Sequence, residues 1–227
     1  MTTATDNQAF VDSLLSDVIQ PGTDALMDSR YFQDLRAGKL TTRRMQGFAI
    51  QHYIHNMGVL KMAALGAAQH AANDKAFMAY GQLLTEEFPH PAMVKRFGIS
   101  LGLTEEDFDK AQPVYGPMIH TAVCIAQIYL VSVIEMRANA LSNETMVQRY
   151  ATEFDDYLSQ APYHMDKKQR QFFIVHSGAD VEHTARGAAA IVDLAENDED
   201  RQKVINVCKT MAKLKLGKFE SIYDEYA

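Results

Sequence analysis

The chain has 227 residues, a formal net charge of -7 and an isoelectric point near 5.6, and its basic residues are scattered. Because no basic surface is available to neutralise phosphate groups, we expect neither nucleic acid nor an anionic membrane as a partner. Cys124 and Cys208 are too few for a disulfide framework, and no leader peptide or apolar run of membrane-spanning length is evident. We therefore expect a cytoplasmic protein.

Apolar residues recur every three to four positions in the first half of the chain, which is the spacing of amphipathic helices. Pro21 is expected to end the first helix, Thr41 or Thr42 to cap a long third helix, and Pro89 to interrupt the pattern again. The predicted helices span about 6–19, 23–35, 41–72, 75–87 and 93–101, followed by a short helix after Thr104.

The second half of the chain continues the helical pattern after a predicted loop over 112–117. Its predicted helices span about 118–141, 144–159, 166–194 and 198–226. No alternating strand pattern, internal repeat or linker competes with them. We therefore predict an all-α protein in which residues 1–227 form a single helical domain, a bundle of seven to nine helices.

The clearest candidate for a functional site is a stripe of His176, Asp180 and His183 in the predicted helix over 166–194. Steps of four and three residues place these side chains on one face, about one helical turn apart. Fe(II) and Mn(II) accept this mixture of imidazole and carboxylate ligands and keep positions open for oxygen or substrate. The stripe therefore indicates a metal site.

A second group of candidate ligands, Glu86, Glu87 and His90, lies where prolines are expected to bend the chain. Such a bend can direct toward one point side chains that a straight helix would distribute around its surface. The alternative is an ordinary solvated helix end. The two adjacent carboxylates and the imidazole are therefore candidate ligands as well.

Glu135 directly follows the long apolar run 125–134 and interrupts its apolar pattern. We expect this part of the chain to lie centrally in the fold. A buried carboxylate is costly unless it is paired or bound to a metal, and Arg137 is the alternative partner. Together the three groups offer three carboxylates and three imidazoles, the set of ligands of a two-iron site in a helical bundle.

The predicted helix over 41–72 carries two further histidines, His52 and His55, which share roughly one face. They are either part of a site wall or an ordinary buried polar pair that finds its own hydrogen bonds. Tyr53, Met57 and Tyr129 are candidates for a substrate pocket, with plain core packing as the alternative.

The order of these motifs, with Glu87-Phe88-Pro89-His90 first, Glu135 next and His-x-x-x-Asp-x-x-His last, resembles the haem-oxygenase-like diiron oxidases. That family shares its helical fold with TenA-like and PqqC-like proteins and includes a 1-alkene-forming fatty-acid decarboxylase and a chlamydial death-domain-associating protein. Pro89 departs from the family pattern. The resemblance implies that two irons are bound by Glu87, His90, Glu135, His176, Asp180 and His183, with Glu86 as the alternative to Glu87.

The resemblance implies an O2-dependent oxidase that acts on a small organic substrate such as an amino acid, an amine or a fatty acid. The ligand types leave iron, manganese and a mixed pair open. Family members also lead us to expect a homodimer, and a second metal held so weakly that the purified protein contains one metal or none and keeps its fold.

Two other functions stay open. Relatives of the TenA type need no metal, and Cys124 is then the candidate nucleophile of a thiaminase-type hydrolase. Its place in an apolar run counts against this, because a buried thiol is usually inert. The third function is a non-enzymatic interaction protein, which predicts that removing metal leaves partner binding intact.

Overall fold

The computed structural model describes residues 4–227 except for the side chains of 179–183, and every regular element in that part of the chain is helical. The all-α prediction is therefore confirmed. Within the described range there are eleven α-helices, and a π-helical segment, Leu15–Ile19, follows the first. The helices are α1 Ala4–Leu14, α2 Gln20–Met27, α3 Arg30–Arg36, α4 Thr42–Gln69, α5 Asp74–Glu87, α6 His90–Ser100, α7 Glu105–Asp109, α8 Tyr115–Leu130, α9 Val133–Leu158, α10 Gln171–Leu194 and α11 Asp198–Glu225.

The first helix does not end at Pro21 as predicted. The chain continues through the π-helical segment into α2, where Pro21 occupies the first turn. A proline is tolerated there because its missing N–H would have no partner in the helix. Gly22 serves packing, since a Cβ at this position would lie 2.6 Å from the Cβ of Ala212 in α11.

The predicted helices over 118–141 and 144–159 are divided differently in the structure. The chain breaks after Leu130, and α9 then runs without interruption from Val133 to Leu158. Ser132 starts α9 through a capping box, in which its backbone N–H and its hydroxyl donate to Glu135 at 2.9 and 2.6 Å. The expected break near residue 142 is absent from this described helix, because buried Leu141 and Met146 keep it in the core.

The chain divides into two compact units, the first made of Met1–Lys39 and Val131–Leu216 and the second of Leu40–Leu130 and Gly217–Ala227. The core of the first unit is rich in fully buried aromatic rings. Two contacts fix the register of α9 against α10: the rings of Phe154 and Phe173 stack at 4.4 Å, and a Cβ on Gly187 would lie 3.3 Å from the backbone of Leu141. The two helices are therefore antiparallel, and each step forward along α9 corresponds to one step back along α10.

The second unit is organised around α4, against which α6 packs in the antiparallel direction. Gln46 donates to the carbonyl of Leu101 at 2.9 Å at one end of this contact. Farther along α4, a Cβ on Gly98 would lie 2.9 Å from the Cβ of Ala49, and Lys95 Nζ lies 5.5 Å from the ring of Tyr53. This register brings the start of α6 to the level of residues 56 and 57 of α4. None of the described helices is long and apolar enough to span a bilayer.

Candidate metal centre

Glu87 and His90 come together where α5 ends and α6 begins. Pro89 is the N-cap residue of α6 and a second proline occupies its first turn, so the predicted bend is present. His90 Nδ1 donates to Glu87 Oε2 at 2.7 Å, and both side chains are largely buried. Metal-binding histidines usually donate Nδ1–H to a carboxylate or carbonyl in this way and bind the metal through Nε2.

Glu86, the alternative to Glu87, is engaged elsewhere. It accepts a hydrogen bond from Gln82 one turn earlier in α5, at 2.8 Å and on an exposed surface. Glu87 is therefore the carboxylate of this pair that contacts His90.

His176 lies in α10, buried at 6 % exposure. Its Nδ1 donates to the backbone carbonyl of Phe172 at 2.7 Å, one helical turn earlier, and the Phe172 ring lies 4.2 Å from the imidazole. The carbonyl holds the proton on Nδ1, and the Phe172 ring restricts the orientation of the imidazole. His90 and His176 thus share one feature: each hydrogen-bonds an oxygen atom through Nδ1.

Asp180 and His183, the other two members of the predicted stripe, lie in α10 as expected, and their side chains are outside the described residues. Among the described side chains, no group of three or more His, Cys, Asp or Glu residues is arranged to hold a metal ion. The described candidates include Glu87 and His90 in the second unit and Glu135 and His176 in the first.

Glu135 does not lie inside a central apolar helix, and that expectation is wrong. It occupies the first turn of α9, is only half-buried, and its carboxylate accepts from Ser132. The antiparallel register puts Glu135 level with residue 193 of α10, about 15 Å beyond the level of residue 183. It also lies six residues before Leu141, on the side of α9 turned away from α10.

Glu144 is a further carboxylate of α9 that sequence reasoning did not single out. It lies three residues after Leu141 and ten before Phe154, so it falls between them on the side of α9 that faces α10. The register sets it level with residues 183 and 184, and it is half-buried. The sequence analysis expected Glu144 to begin a new helix, where its side chain would be exposed. Because α9 is unbroken from Val133 to Leu158, Glu144 lies instead in the middle of the helix, on the face toward α10.

His52 and His55 are buried in the second unit and hydrogen-bonded. Lys218 Nζ lies 2.8 Å from His52 Nδ1, and His55 Nδ1 lies 2.8 Å from the hydroxyl of Thr121. The His55 ring also stacks on that of His120 at 4.7 Å. Sequence reasoning did not single out Lys218, although it falls at an apolar-stripe position of α11 and is fully buried.

The three candidate pocket residues have different surroundings. Tyr53 is half-buried, and its ring meets that of Phe108 edge-on at 5.2 Å. Met57 and Tyr129 are 38 % and 56 % exposed, so the alternative of plain core packing does not hold for them. Their role in a pocket stays a prediction.

Both cysteines are buried, as the apolar surroundings of Cys124 in the sequence suggested. Cys124 is 8 % exposed, and Cys208 is fully buried, where desolvation raises its pKa to about 12. A thiol with such a pKa carries almost no thiolate at neutral pH, so Cys208 is not a nucleophile.

A family model described as iron-containing redox enzyme matches residues 46–216, which is most of the chain. No curated protein matches it. Among solved structures, a domain of unknown function with a haem-oxygenase-like fold from Shewanella denitrificans superposes with a TM-score of 0.83 at 18 % identity, over 95 % of this chain and 92 % of the other.

TenA homologues share the fold as well. The one from Pseudomonas syringae has a TM-score of 0.79 at 14 % identity, over 98 % of this chain and 96 % of its own. The one from Pyrococcus furiosus has a TM-score of 0.77 at 14 % identity, over 94 % and 100 %. The fold is therefore haem-oxygenase-like, and the chain belongs to the family of iron-containing redox enzymes.

Proposed function

We propose that this protein is an O2-dependent non-haem oxidase with two metal ions, iron in the first instance, that acts on a small organic substrate. The observation that carries the proposal is the shared state of His90 and His176. Each buried imidazole hydrogen-bonds an oxygen acceptor through Nδ1, which is the arrangement of a histidine that binds a metal through Nε2. Metal-binding histidines nearly always donate their other ring N–H to an oxygen acceptor in this way.

The proposed ligands are Glu87 and His90 from the bend between α5 and α6, and His176, Asp180 and His183 from α10. For the carboxylate of α9 we now propose Glu144 instead of Glu135. The register of α9 against α10 supports this exchange, because Glu144 faces α10 near residue 183 while Glu135 caps its own helix. The set still has three carboxylates and three imidazoles, which suits iron and manganese.

When bound, ferrous ions supply the electrons that reduce O2. The chain positions the ligands and limits water. Glu87 holds the His90 ring through its Nδ1 proton, and the Phe172 carbonyl does the same for His176. The Phe172 ring, 1 % exposed, covers one side of the His176 imidazole and keeps solvent from it.

The experiment that tests the proposal is an anaerobic titration of metal-free protein with Fe(II), followed by mixing with oxygenated buffer. We expect about two equivalents of iron per chain, as required by a two-metal centre, and consumption of O2 that depends on bound iron. Protein that binds no iron and consumes no O2 would contradict the proposal.

Variants of the α10 stripe give the matching control. His176→Ala and Asp180→Ala are expected to abolish iron loading and O2 consumption and to leave the helical circular-dichroism signal almost unchanged. Undiminished O2 consumption in either variant would rule out a metal centre that uses His176 and Asp180 as ligands.

A cofactor-free enzyme of the TenA type is the second candidate, favoured by the TenA homologues of the same fold. Its natural nucleophile in this chain is Cys124, whose burial in α8 argues against an exposed thiolate. Cys124→Ser distinguishes the two functions, because it leaves a metal-dependent oxidase active and eliminates a thiol-dependent hydrolase. Activity lost in Cys124→Ser and retained without metal would favour the second candidate.

A further inference from the structure

The helix α8 of the second unit carries polar side chains on its inner side and apolar side chains on its outer side. It contains no Asp, Glu, Lys or Arg, and its polar residues His120 and Gln127 are buried. Four large side chains of α8 are 43–78 % exposed: Tyr115, Met118, Tyr129 and Leu130. A helix on the surface of a globular protein normally turns charged residues to water, so an uncharged apolar face of this kind indicates an interaction surface.

The outer side of α8 has the residue spacing of a helix that packs on another helix. Its residues follow one another in steps of three and four, which places them on one stripe: Tyr115, Met118, Ala122, Ile125 and Tyr129. Ala122, at the centre of this outer stripe, is exposed as well. A small residue at the centre lets the axis of a second helix come close.

The outer stripe is also symmetric about Ala122. Tyr115 comes seven residues before Ala122 and Tyr129 seven residues after it, while Met118 and Ala126 each lie four residues away. A two-fold contact uses the same surface on both copies, so that surface has to complement itself. If two copies pair antiparallel about an axis at Ala122, Tyr115 of each copy lies beside Tyr129 of the other.

Charge and area both suit a second copy of the chain. The net charge of -7 makes two copies repel each other in general, and α8 adds no like charges at the contact itself. The four exposed large side chains offer roughly 500 Å² per copy, at about 200 Å² for a fully exposed large side chain. A pair would then bury on the order of 1,000 Å², which is the size at which specific interfaces begin.

We propose that the outer stripe of α8 is the contact surface of a homodimer, packed antiparallel on the same stripe of a second copy with the two-fold axis at Ala122. The family resemblance leads to an expectation of two copies but assigns no surface to their contact. Tyr129 then belongs to the interface and not to a substrate pocket. The inference does not depend on iron, and metal-free protein is sufficient to test it.

Sedimentation equilibrium tests the surface. We expect the wild type to sediment at twice its chain mass of 25.4 kDa, and Ala122→Glu to sediment as a monomer, because two like charges would meet at the axis. The matched control is Ala25→Glu, a change of another exposed helical alanine, in α2, which should remain dimeric. Both variants should keep the melting behaviour of a folded chain, since neither alanine is buried.

A monomeric wild type would assign the outer stripe to a different partner and overturn the proposal. A dimer that persists in Ala122→Glu, or one that is lost equally in Ala25→Glu, would overturn it as well.

Cysteine cross-linking tests the antiparallel register. Ala122→Cys brings two thiols together at the axis, so mild oxidation should join the two copies through a disulfide. Tyr115→Cys should not join to itself, because antiparallel pairing holds its two thiols about 21 Å apart along the helices. Tyr115→Cys mixed with Tyr129→Cys should give the linked pair. The wild type measures the background, since both native cysteines are buried.

Cross-linking of Tyr115→Cys with itself as readily as of Ala122→Cys would mean that the helices pair in another direction. That result, or no cross-link in any of these samples, would contradict the proposed contact.

Discussion

At the scale of single residues, position along a helix decides which carboxylate is able to serve a site. Glu135 and Glu144 lie nine residues apart on α9. The first accepts from Ser132 at the exposed end of the helix, and the second faces α10 near the histidine stripe. Residue type alone does not separate them.

We predict that Glu144→Gln reduces iron binding from about two equivalents to one or fewer, because an amide lacks the charge that a two-metal centre needs. Glu135→Gln is the matched control and should load iron like the wild type. Iron per chain after desalting gives the answer. Loss of iron in Glu135→Gln with full loading in Glu144→Gln would reverse the assignment.

Cys208 gives a residue-scale prediction about pH. Burial raises its pKa from 9.0 to about 12, so the folded chain keeps the neutral thiol while the unfolded chain releases the proton. The contribution to stability is complete below pH 9 and is lost as the pH rises toward 12. Between pH 9 and 10.5 this loss amounts to about 2 kcal/mol.

Urea unfolding at the two pH values measures this effect, with Cys208→Ala as the control. The variant should lose less stability over the same interval, because it has no thiol to ionise. Equal losses would show that Cys208 does not ionise on unfolding in this range.

At the scale of elements, close approach between helices explains several glycines that look like helix breakers in the sequence. In the second unit, a Cβ on Gly58 of α4 would lie 2.3 Å from Cγ2 of Thr121 in α8. Thr121 in turn accepts from His55 and donates to the carbonyl of Pro117 at 2.9 Å. A side chain at residue 58 would displace this hydrogen-bonded threonine.

We predict that Gly58→Ala destabilises the protein by about 1–3 kcal/mol through overpacking. The matched control is Gly81→Ala in α5, where an added Cβ meets nothing within 4 Å. That change should stabilise the helix by about 0.5–1 kcal/mol, the usual advantage of Ala over Gly. Chemical denaturation of both variants tests the pair, and equal effects would contradict the packing account.

Helix type was predictable from the sequence, and helix ends were less so. The period of apolar residues identified the long helices α4, α10 and α11, and Thr104 was recognised as the cap of α7. The prediction placed a helix end at Pro21, but this proline lies in the first turn of α2. It also placed a break near residue 142, where Ser142 is buried within an unbroken helix. Packing against other helices decides such cases.

At the scale of the whole molecule, the all-α fold of the haem-oxygenase type agrees with the prediction, and membership of the iron-containing redox enzymes agrees with the resemblance. Of the site, the sequence correctly paired Glu87 with His90 and put His176 in a helix. The position of Glu144 on the face of α9 toward α10 was not predicted, since it depends on the register of the two helices, which no local pattern contains.

The fold is expected to survive metal removal, because one fully buried cluster of aromatic rings in the first unit contains none of the proposed ligands. Tyr31, Phe32 and Phe154 form ring contacts at 5.6–5.9 Å and are fully buried. A metal-free sample should therefore keep its helical circular-dichroism signal and a cooperative thermal transition. Unfolding on chelation would show that the metal is part of the core.

The most direct test of the metal centre is a crystal structure of Fe(II)-loaded protein, with anomalous diffraction recorded on both sides of the iron absorption edge. We predict iron peaks beside Nε2 of His176 and the carboxylate of Glu144 in the first unit and beside Nε2 of His90 in the second. The absence of iron peaks in loaded crystals, or peaks bound by neither histidine, would contradict the central claim.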